Sequence, residues 1–158
     1  MSCTAIGGPG VSTGHALADI HPAVEEGVNN RDLDRLMALY AEDARMVTMD
    51  GSIAEGRDAI REQWAWLLAQ EGHMTLQTRY VIEVGDLAIL SNAWRFRAGD
   101  EEMLGTTAEV ARREPDGSCL YIIDHPFAHD ANRRDCLRDS MGRAPARTWA
   151  AVAHFGWG

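Results

Sequence analysis

The chain contains no lysine, since all 15 of its basic residues are arginine. A lysine Schiff base and a lysine-containing phosphate-binding loop are therefore excluded. A GxGxxG segment is also absent, so the sequence does not predict a dinucleotide-dependent oxidoreductase. Acidic residues exceed basic ones, and the net charge of −9 argues against nucleic acid as a partner.

Cysteine is scarce as well. The three cysteines, at positions 3, 119 and 136, lie far apart without a CxxC pair, so neither a disulfide framework nor a zinc site is predicted. No apolar run approaches the length of a membrane span, and the first residues, MSCTAIGGPGVSTG, lack the charged and apolar regions of a secretion signal. We therefore expect a cytoplasmic protein with no membrane partner.

The histidines do not suggest a metal site. There are six, and none falls in an HxH or HExxH pattern. Asp124, His125 and His129 lie close together near the end of the last predicted strand, but neighbouring residues of a strand point to opposite faces. We predict no bound metal and no cofactor.

The composition indicates one globular domain with two flanking segments. The chain has 158 residues, 46% hydrophobic and 25% charged, which is the balance of a single soluble domain. Residues 1–14 are rich in Gly, Ser and Thr and are predicted to be a flexible lead. Residues 15–127 form the predicted domain. Residues 128–158 are predicted to be an extension that is poorly ordered, or alternatively a lid or partner-binding segment.

Apolar residues recur at helical spacing in three segments. The first helix is predicted to begin near His15. Asp32 is the expected N-cap of the second, whose apolar stripe runs to Tyr40. The third is predicted to begin near Gly56 and to stop at Gly72. A hairpin over 44–54, with Asp50-Gly51 at its tip, precedes it.

After the third helix the pattern changes to that of strands, over 74–84, 87–98, 101–113 and 118–127. The turns between them carry the sequences GD, GD and PDG. Consecutive strands joined by such short turns pair antiparallel. The element order therefore predicts an α+β fold with helices on one face of the sheet.

Four segments carry a resemblance to a known superfamily: NRDLDRLMALYAEDA at 30–44, GRDAI at 56–60, GDLAIL at 85–90 and PDGSCLYIIDHPF at 115–127. The chain resembles the nuclear transport factor 2-like superfamily, which includes ketosteroid isomerase and the SnoaL-like polyketide cyclases. Its IDHPF ending is most similar to the SgcJ/EcaC-type proteins, whose members often lie in natural-product gene clusters.

The resemblance implies a cone, in which three N-terminal helices pack on the concave face of a curved, mostly antiparallel mixed sheet. It also implies a pocket at the mouth of the cone. When the segments are aligned, the proton-shuttling aspartate of ketosteroid isomerase falls on Thr48 and its oxyanion tyrosine on Val24. Neither residue can substitute, so ketosteroid isomerisation itself is disfavoured. The second oxyanion donor falls on Glu109, which can serve in its protonated form.

The turns also predict which residues share the concave face, because opposed residues of an antiparallel hairpin lie on the same side. Three rows across three strands follow from centring the turns on Gly99-Asp100 and Pro115-Asp116. The rows are Trp94, Gly105, Pro126; Asn92, Thr107, Asp124; and Leu90, Glu109, Ile122.

The middle row and Glu109 are the predicted site. Asp124 is the candidate general acid/base and Glu109 a second acid or hydrogen-bond donor, with Asn92 and Thr107 as orienting groups. The alternative is a polar row that only satisfies its own hydrogen bonds. Four further residues are predicted to form the walls of the pocket, namely the aromatic residues Tyr40, Trp64 and Trp94, and Thr48 at the mouth of the cone.

The opposite face of the predicted sheet is apolar. Its expected outward residues are Ile89, Ala93, Leu104, Ala108, Val110, Tyr121 and Ile123. Such a surface needs a cover, so a homodimer through this face is predicted, as the superfamily commonly forms, with the C-terminal extension as the competing cover.

Three functions remain open from the sequence. The first is a cofactor-independent acid/base enzyme, of isomerase, cyclase or dehydratase type, acting on a hydrophobic and polyketide-derived metabolite. The second is a ligand-binding or accessory protein of natural-product biosynthesis without catalysis. The third is a dimeric association module.

Overall fold

The computed structural model describes residues 15–128. The predicted flexible lead 1–14 and the predicted extension from position 129 onward, including His129, lie outside the described residues. Within 15–128, no helix is both long and apolar enough to span a membrane.

The described part of the chain contains three α-helices: α1 Leu17–Asn29, α2 Leu33–Met37 and α3 Gly56–Ala69. The predicted cap is confirmed, because the Arg35 amide donates to Asp32 Oδ1 at 2.9 Å. The prediction that the apolar stripe of the second helix extends to Tyr40 is wrong. Helix α2 has only five residues, and Tyr40 begins the first strand.

Seven strands form one sheet: β1 Tyr40–Val47, β2 Ile53–Glu55, β3 His73–Val84, β4 Leu87–Ala98, β5 Glu101–Thr106, β6 Ala108–Arg113 and β7 Cys119–His125. Their order is β2-β1-β7-β6-β4-β3, and β5 also pairs with β4. All pairings are antiparallel except β1 with β7. This curved, mixed sheet with helices on one face confirms the predicted α+β fold.

Burial alternates along β4 and identifies the inner face. Ala88, Leu90, Asn92, Trp94 and Phe96 are all buried, whereas Leu87, Ile89, Arg95 and Arg97 between and beside them are exposed. Helix α1 packs against β3 and α3 against β1. The core therefore lies between the helices and the inner face of the sheet, which is where the candidate site residues point.

The predicted strand over 101–113 divides in two at Thr107. The Thr107 amide donates to the Asn92 carbonyl at 2.9 Å, but the Asn92 amide donates to the Thr107 side-chain hydroxyl, at 2.8 Å. The Ser91 hydroxyl donates to the Thr107 carbonyl at 2.7 Å. Side-chain hydroxyls thus replace ladder bonds where β5 ends and β6 begins.

The register predicted from the first turn is confirmed. Trp94 lies opposite Gly105 and Leu90 opposite Glu109. Glycine at 105 has a packing reason, since a Cβ there would come within 2.5 Å of the Trp94 ring. The indole can therefore lie against the backbone of β5.

The register predicted from the second turn is wrong. Glu109 lies opposite Asp124, not Ile122, and Thr107 is therefore not the partner of Asp124. Two single-residue displacements explain the difference. At the turn, Arg113 pairs with Cys119 rather than with Ser118, and a β-bulge at Ile122 adds a second displacement. Two such displacements return Asp124 to its predicted face but move it beside Glu109.

These displacements also overturn two further predictions. Tyr121 was expected on the outer face, but it lies on the inner face and is 1% exposed. Pro126 does not pair with Gly105, and instead its carbonyl accepts a hydrogen bond from Trp94 Nε1 at 2.8 Å. The outward direction predicted for Ile89, Leu104 and Ile123 agrees with their exposure of 44–50% in the isolated chain.

Candidate active site

A cavity opens between the helices and the inner face of the sheet, with a volume of about 780 Å³ when its open mouth is included. Most of its wall is apolar. All the residues predicted for the site line it: Tyr40, Thr48, Trp64, Asn92, Trp94, Thr107, Glu109 and Asp124.

Asp124 lies on the cavity wall at the end of β7 and is 4% exposed. Tyr40 donates its hydroxyl proton to Asp124 Oδ2 at 2.5 Å, and Trp64 Nε1 donates to the Tyr40 oxygen at 3.1 Å. Burial and the neighbouring Glu109 carboxyl raise the pKa of Asp124 to about 7, although the Tyr40 hydrogen bond opposes the shift. A carboxyl with such a pKa exchanges protons near neutral pH.

Glu109 faces Asp124 from β6 and is equally buried, but its hydrogen bonds are different. His21 Nε2 lies 2.7 Å from Glu109 Oε2, and Asn92 Nδ2 donates to Oε1 at 2.9 Å. The other nitrogen of His21 pairs with Thr78 Oγ1 at 2.7 Å. Both oxygens of Glu109 are therefore held, and its carboxyl has a fixed orientation.

His21 was missed by the sequence reasoning, which weighed histidines only as metal ligands. It is 2% exposed and comes from α1. Its spacing from Leu17, Val24 and Val28 places it on the buried stripe of that helix. A polar residue on such a stripe needs a buried partner, and this signal was present in the sequence.

Tyr121 was missed for a different reason, because a one-residue displacement at the β6–β7 turn, where Arg113 pairs with Cys119, turns it inward. Its ring packs on that of Tyr40, with centroids 5.4 Å apart and an angle of 48°. Burial raises the pKa of Tyr121, and the charges of Glu109 and Asp124 raise it further. The Tyr121 hydroxyl lies close to Glu109, yet it makes no hydrogen bond of acceptable geometry within residues 15–128.

Thr48 lines the cavity from the hairpin tip, but its hydroxyl is already engaged with Asp50 and Ser52. It therefore cannot supply the base that the superfamily alignment places there. Trp66 is 40% exposed and also lines the cavity. Phe127 contacts the Trp94 ring edge-on, with centroids 5.7 Å apart.

The comparison with protein families identifies most of the described domain. A model of the SnoaL-like domain matches residues 23–120, which is more than half of the chain and includes the cavity wall up to β7. The chain belongs to the SnoaL-like domain family. No curated protein matches this SnoaL-like chain significantly.

Solved structures share its fold at low identity. A candidate calcium/calmodulin-dependent protein kinase type II association domain from Thiobacillus denitrificans has a TM-score of 0.62 and 18% identity, covering 73% of this chain and 96% of that one. A candidate dehydratase of the NTF2-like family from Streptomyces avermitilis has a TM-score of 0.60 and 19% identity, covering 71% and 94%. A ketosteroid isomerase-like protein from Erwinia carotovora atroseptica has a TM-score of 0.57 and 18% identity, covering 68% and 89%.

The described part of this SnoaL-like chain has no group of three or more His, Cys, Asp or Glu residues placed to hold a metal ion. On the cavity wall, Asp124 and Glu109 form a polar group with their hydrogen-bond partners Tyr40, His21 and Asn92. Two carboxyls in one apolar site with different surroundings are an arrangement suited to proton transfer.

The raised pKa of Asp124 predicts a particular pH dependence of stability. In the folded protein this carboxyl keeps its proton up to about pH 7, whereas its ordinary pKa is 3.8, so the folded state holds an extra proton between those values. Stability from this group is thus lost as pH rises from about 4 to about 7. Relative to wild type, Asp124→Asn should become more stable over this range by about 4 kcal/mol.

Denaturant unfolding at several pH values between 4 and 8 measures this difference. Asp100→Asn, at an exposed turn, controls for the loss of one acidic group. A difference between Asp124→Asn and wild type that stays constant with pH would contradict the assignment of the raised pKa to Asp124.

Proposed function

We propose that this SnoaL-like chain is a cofactor-independent acid/base enzyme that moves a proton on a hydrophobic small molecule, by an isomerase, cyclase or dehydratase type of reaction. The observation that carries the proposal is the Asp124 carboxyl, which is buried on an apolar cavity wall and has a pKa raised to about 7. Such a group is both a competent base and a competent acid at neutral pH.

In the proposed reaction, the Asp124 carboxylate takes a proton from a carbon next to a ligand carbonyl. The electron pair of the broken C–H bond moves toward the carbonyl oxygen, which gives an enolate and a neutral carboxylic acid. Asp124 then returns the proton to another atom of the ligand. The Tyr40 hydrogen bond to Oδ2 holds the carboxyl in place, and Oδ1 is the oxygen that exchanges the proton.

The walls support a hydrophobic and polyketide-derived ligand. Aromatic rings of Trp64, Trp94 and Phe127 line the cavity together with methionine and leucine side chains. The IDHPF segment, at the end of β7, supports a finer assignment to the SgcJ/EcaC type and a role in natural-product biosynthesis. Cytoplasmic localisation and the absence of nucleic-acid partners stay predictions from composition.

Hydrogen exchange at carbon tests the enzyme directly. In D₂O, the wild-type protein should catalyse deuterium incorporation beside the carbonyl of a bicyclic ketone such as 1-tetralone, as followed by NMR. Asp124→Asn should lower the rate of deuterium incorporation by about 10²–10⁴-fold, because it removes the base but keeps the shape of the side chain. Asp43→Asn, on the exposed side of β1, is the matched control and should exchange like wild type. Equal rates for Asp124→Asn and wild type would end the proposal.

A non-catalytic ligand-binding or accessory role is the second candidate. One observation favours it: the ketosteroid isomerase base and tyrosine positions hold Thr48 and Val24, and the Thr48 hydroxyl is engaged in its own turn. In that case a ligand binds the cavity but gains no deuterium above the Asp124→Asn background.

The outer sheet face supports a homodimer, which we propose as the assembly of this chain. Four apolar residues form a continuous row across β3, β4, β6 and β7, namely Ile82, Ile89, Val110 and Ile123. Three of them are about half exposed in the isolated chain. An apolar surface of this extent favours association with a second copy. If the cavity binds no ligand, the dimer would serve only as an association module, which is the third function left open by the sequence.

Sedimentation equilibrium tests the dimer. Wild type should sediment as a dimer, and Ile89→Asp should weaken self-association by about tenfold or more, because a charge would be buried in the row. Met49→Asp alters an exposed apolar residue at the hairpin tip and should leave the dimer intact. A monomeric wild type, or a fully dimeric Ile89→Asp, would refute this interface.

A further inference from the structure

Two buried polar atoms in the cavity wall have no hydrogen-bond partner within residues 15–128. They are Oδ1 of Asn92 and the hydroxyl oxygen of Tyr121, in side chains that are 2% and 1% exposed. Every other polar side chain of the carboxyl network is paired. Leaving such atoms unpaired costs stability, so their presence on a cavity wall points to groups on a ligand.

The orientation of Asn92 is set by its neighbours. Its Nδ2 donates to Glu109 Oε1 at 2.9 Å, and a rotation of the amide by 180° would bring Oδ1 against the carboxylate instead. Its backbone amide is anchored on the Thr107 hydroxyl at 2.8 Å. Oδ1 is therefore a fixed acceptor, and its complement on a ligand is a hydroxyl or another donor.

Tyr121 is held just as firmly but offers a donor. It sits between the bulge at Ile122 and the ring of Tyr40, and Asp124 follows it by three residues on the same strand. Tyr40 gives its proton to Asp124, whereas the Tyr121 hydroxyl lies close to Glu109 but makes no hydrogen bond of acceptable geometry within residues 15–128. Its complement on a ligand is a carbonyl oxygen.

We infer that the cavity takes an apolar hydroxy-ketone, whose carbonyl oxygen accepts a hydrogen bond from the Tyr121 hydroxyl and whose hydroxyl group donates to Asn92 Oδ1. Asn92 and Tyr121 lie on either side of the opposed pair Glu109 and Asp124, so the carbon skeleton spans the two carboxyls. This inference rests on the proposed function only in placing the ligand in this cavity. Where turnover occurs, Tyr121 would stabilise the enolate oxygen formed as Asp124 takes the proton.

Three small probes separate the contributions of the ligand carbonyl and the ligand hydroxyl to binding. They are 6-hydroxy-1-tetralone, its methyl ether without the hydroxyl donor, and 6-hydroxytetralin without the carbonyl. Calorimetric titration should show that wild type binds the hydroxy-ketone about tenfold or more tightly than either analogue. Tyr121→Phe should bind the hydroxy-ketone no better than 6-hydroxytetralin, with its affinity for 6-hydroxytetralin unchanged. Asn92→Leu should lose the preference for the hydroxyl over the methyl ether.

Tyr40→Phe is the matched control, since the two tyrosine rings are in contact and similarly buried, but within residues 15–128 only the Tyr40 hydroxyl makes a hydrogen bond of acceptable geometry. Without ligand, Tyr40→Phe should lower the denaturation midpoint, whereas Tyr121→Phe should leave it unchanged or raise it. A Tyr121→Phe protein that binds all three probes like wild type overturns the inference, as does a wild type that does not distinguish them. Tight and selective binding without deuterium incorporation would support this inference while refuting the proposed enzyme.

Discussion

Two carboxyl groups face each other on neighbouring strands inside the protein, and the rest of the cavity is arranged around this constraint. Glu109 and Asp124 are directly opposed, each 4% exposed, on the inner face of the sheet. Like charges at such proximity cannot both be stabilised without help from the surroundings. The two carboxyls have different hydrogen-bond partners. Within residues 15–128, Glu109 has His21 and Asn92 on its two oxygens, whereas Asp124 has one side-chain hydrogen bond, from Tyr40. Burial and the neighbouring Glu109 raise the pKa of Asp124 to about 7, against the effect of that hydrogen bond.

Each supporting group comes from a different element, so the fold and the site depend on each other. Helix α1 supplies His21, β1 supplies Tyr40, β4 supplies Asn92 and α3 supplies Trp64, which in turn donates to Tyr40. Packing α1 and α3 on the inner face is therefore what brings the donors to the carboxyls. Replacing the carboxyls by apolar residues would relieve the desolvation cost, which agrees with a role in function rather than in stability.

Much of the fold was predictable because short turns and helix ends are marked by local residue types. Asp32 caps α2, Asp50-Gly51 forms the hairpin tip, and Gly99-Asp100 sets the β4–β5 register correctly. The site was predictable only in part. The inward direction of Asp124 was predicted correctly only because two register displacements cancel, one at the β6–β7 turn and one at the bulge at Ile122. Its pairing with Glu109 depends on both, and no residue type marks either of them. Tyr121 was assigned to the wrong face because it precedes the bulge, so the displacement at the turn alone turns it inward. His21 needed a long-range contact between α1 and β6, which helical spacing alone suggests without naming the partner.

The most direct test of the account is the titration of Asp124 itself. Protein labelled with ¹³C at aspartate side-chain carboxyls can be followed by NMR from pH 4 to 9, with the Asp124→Asn spectrum identifying the resonance. We expect an apparent pKa near 7 for that resonance, because the Asp124 carboxyl is buried beside Glu109. A resonance that titrates near the ordinary aspartate value of 3.8 would contradict it.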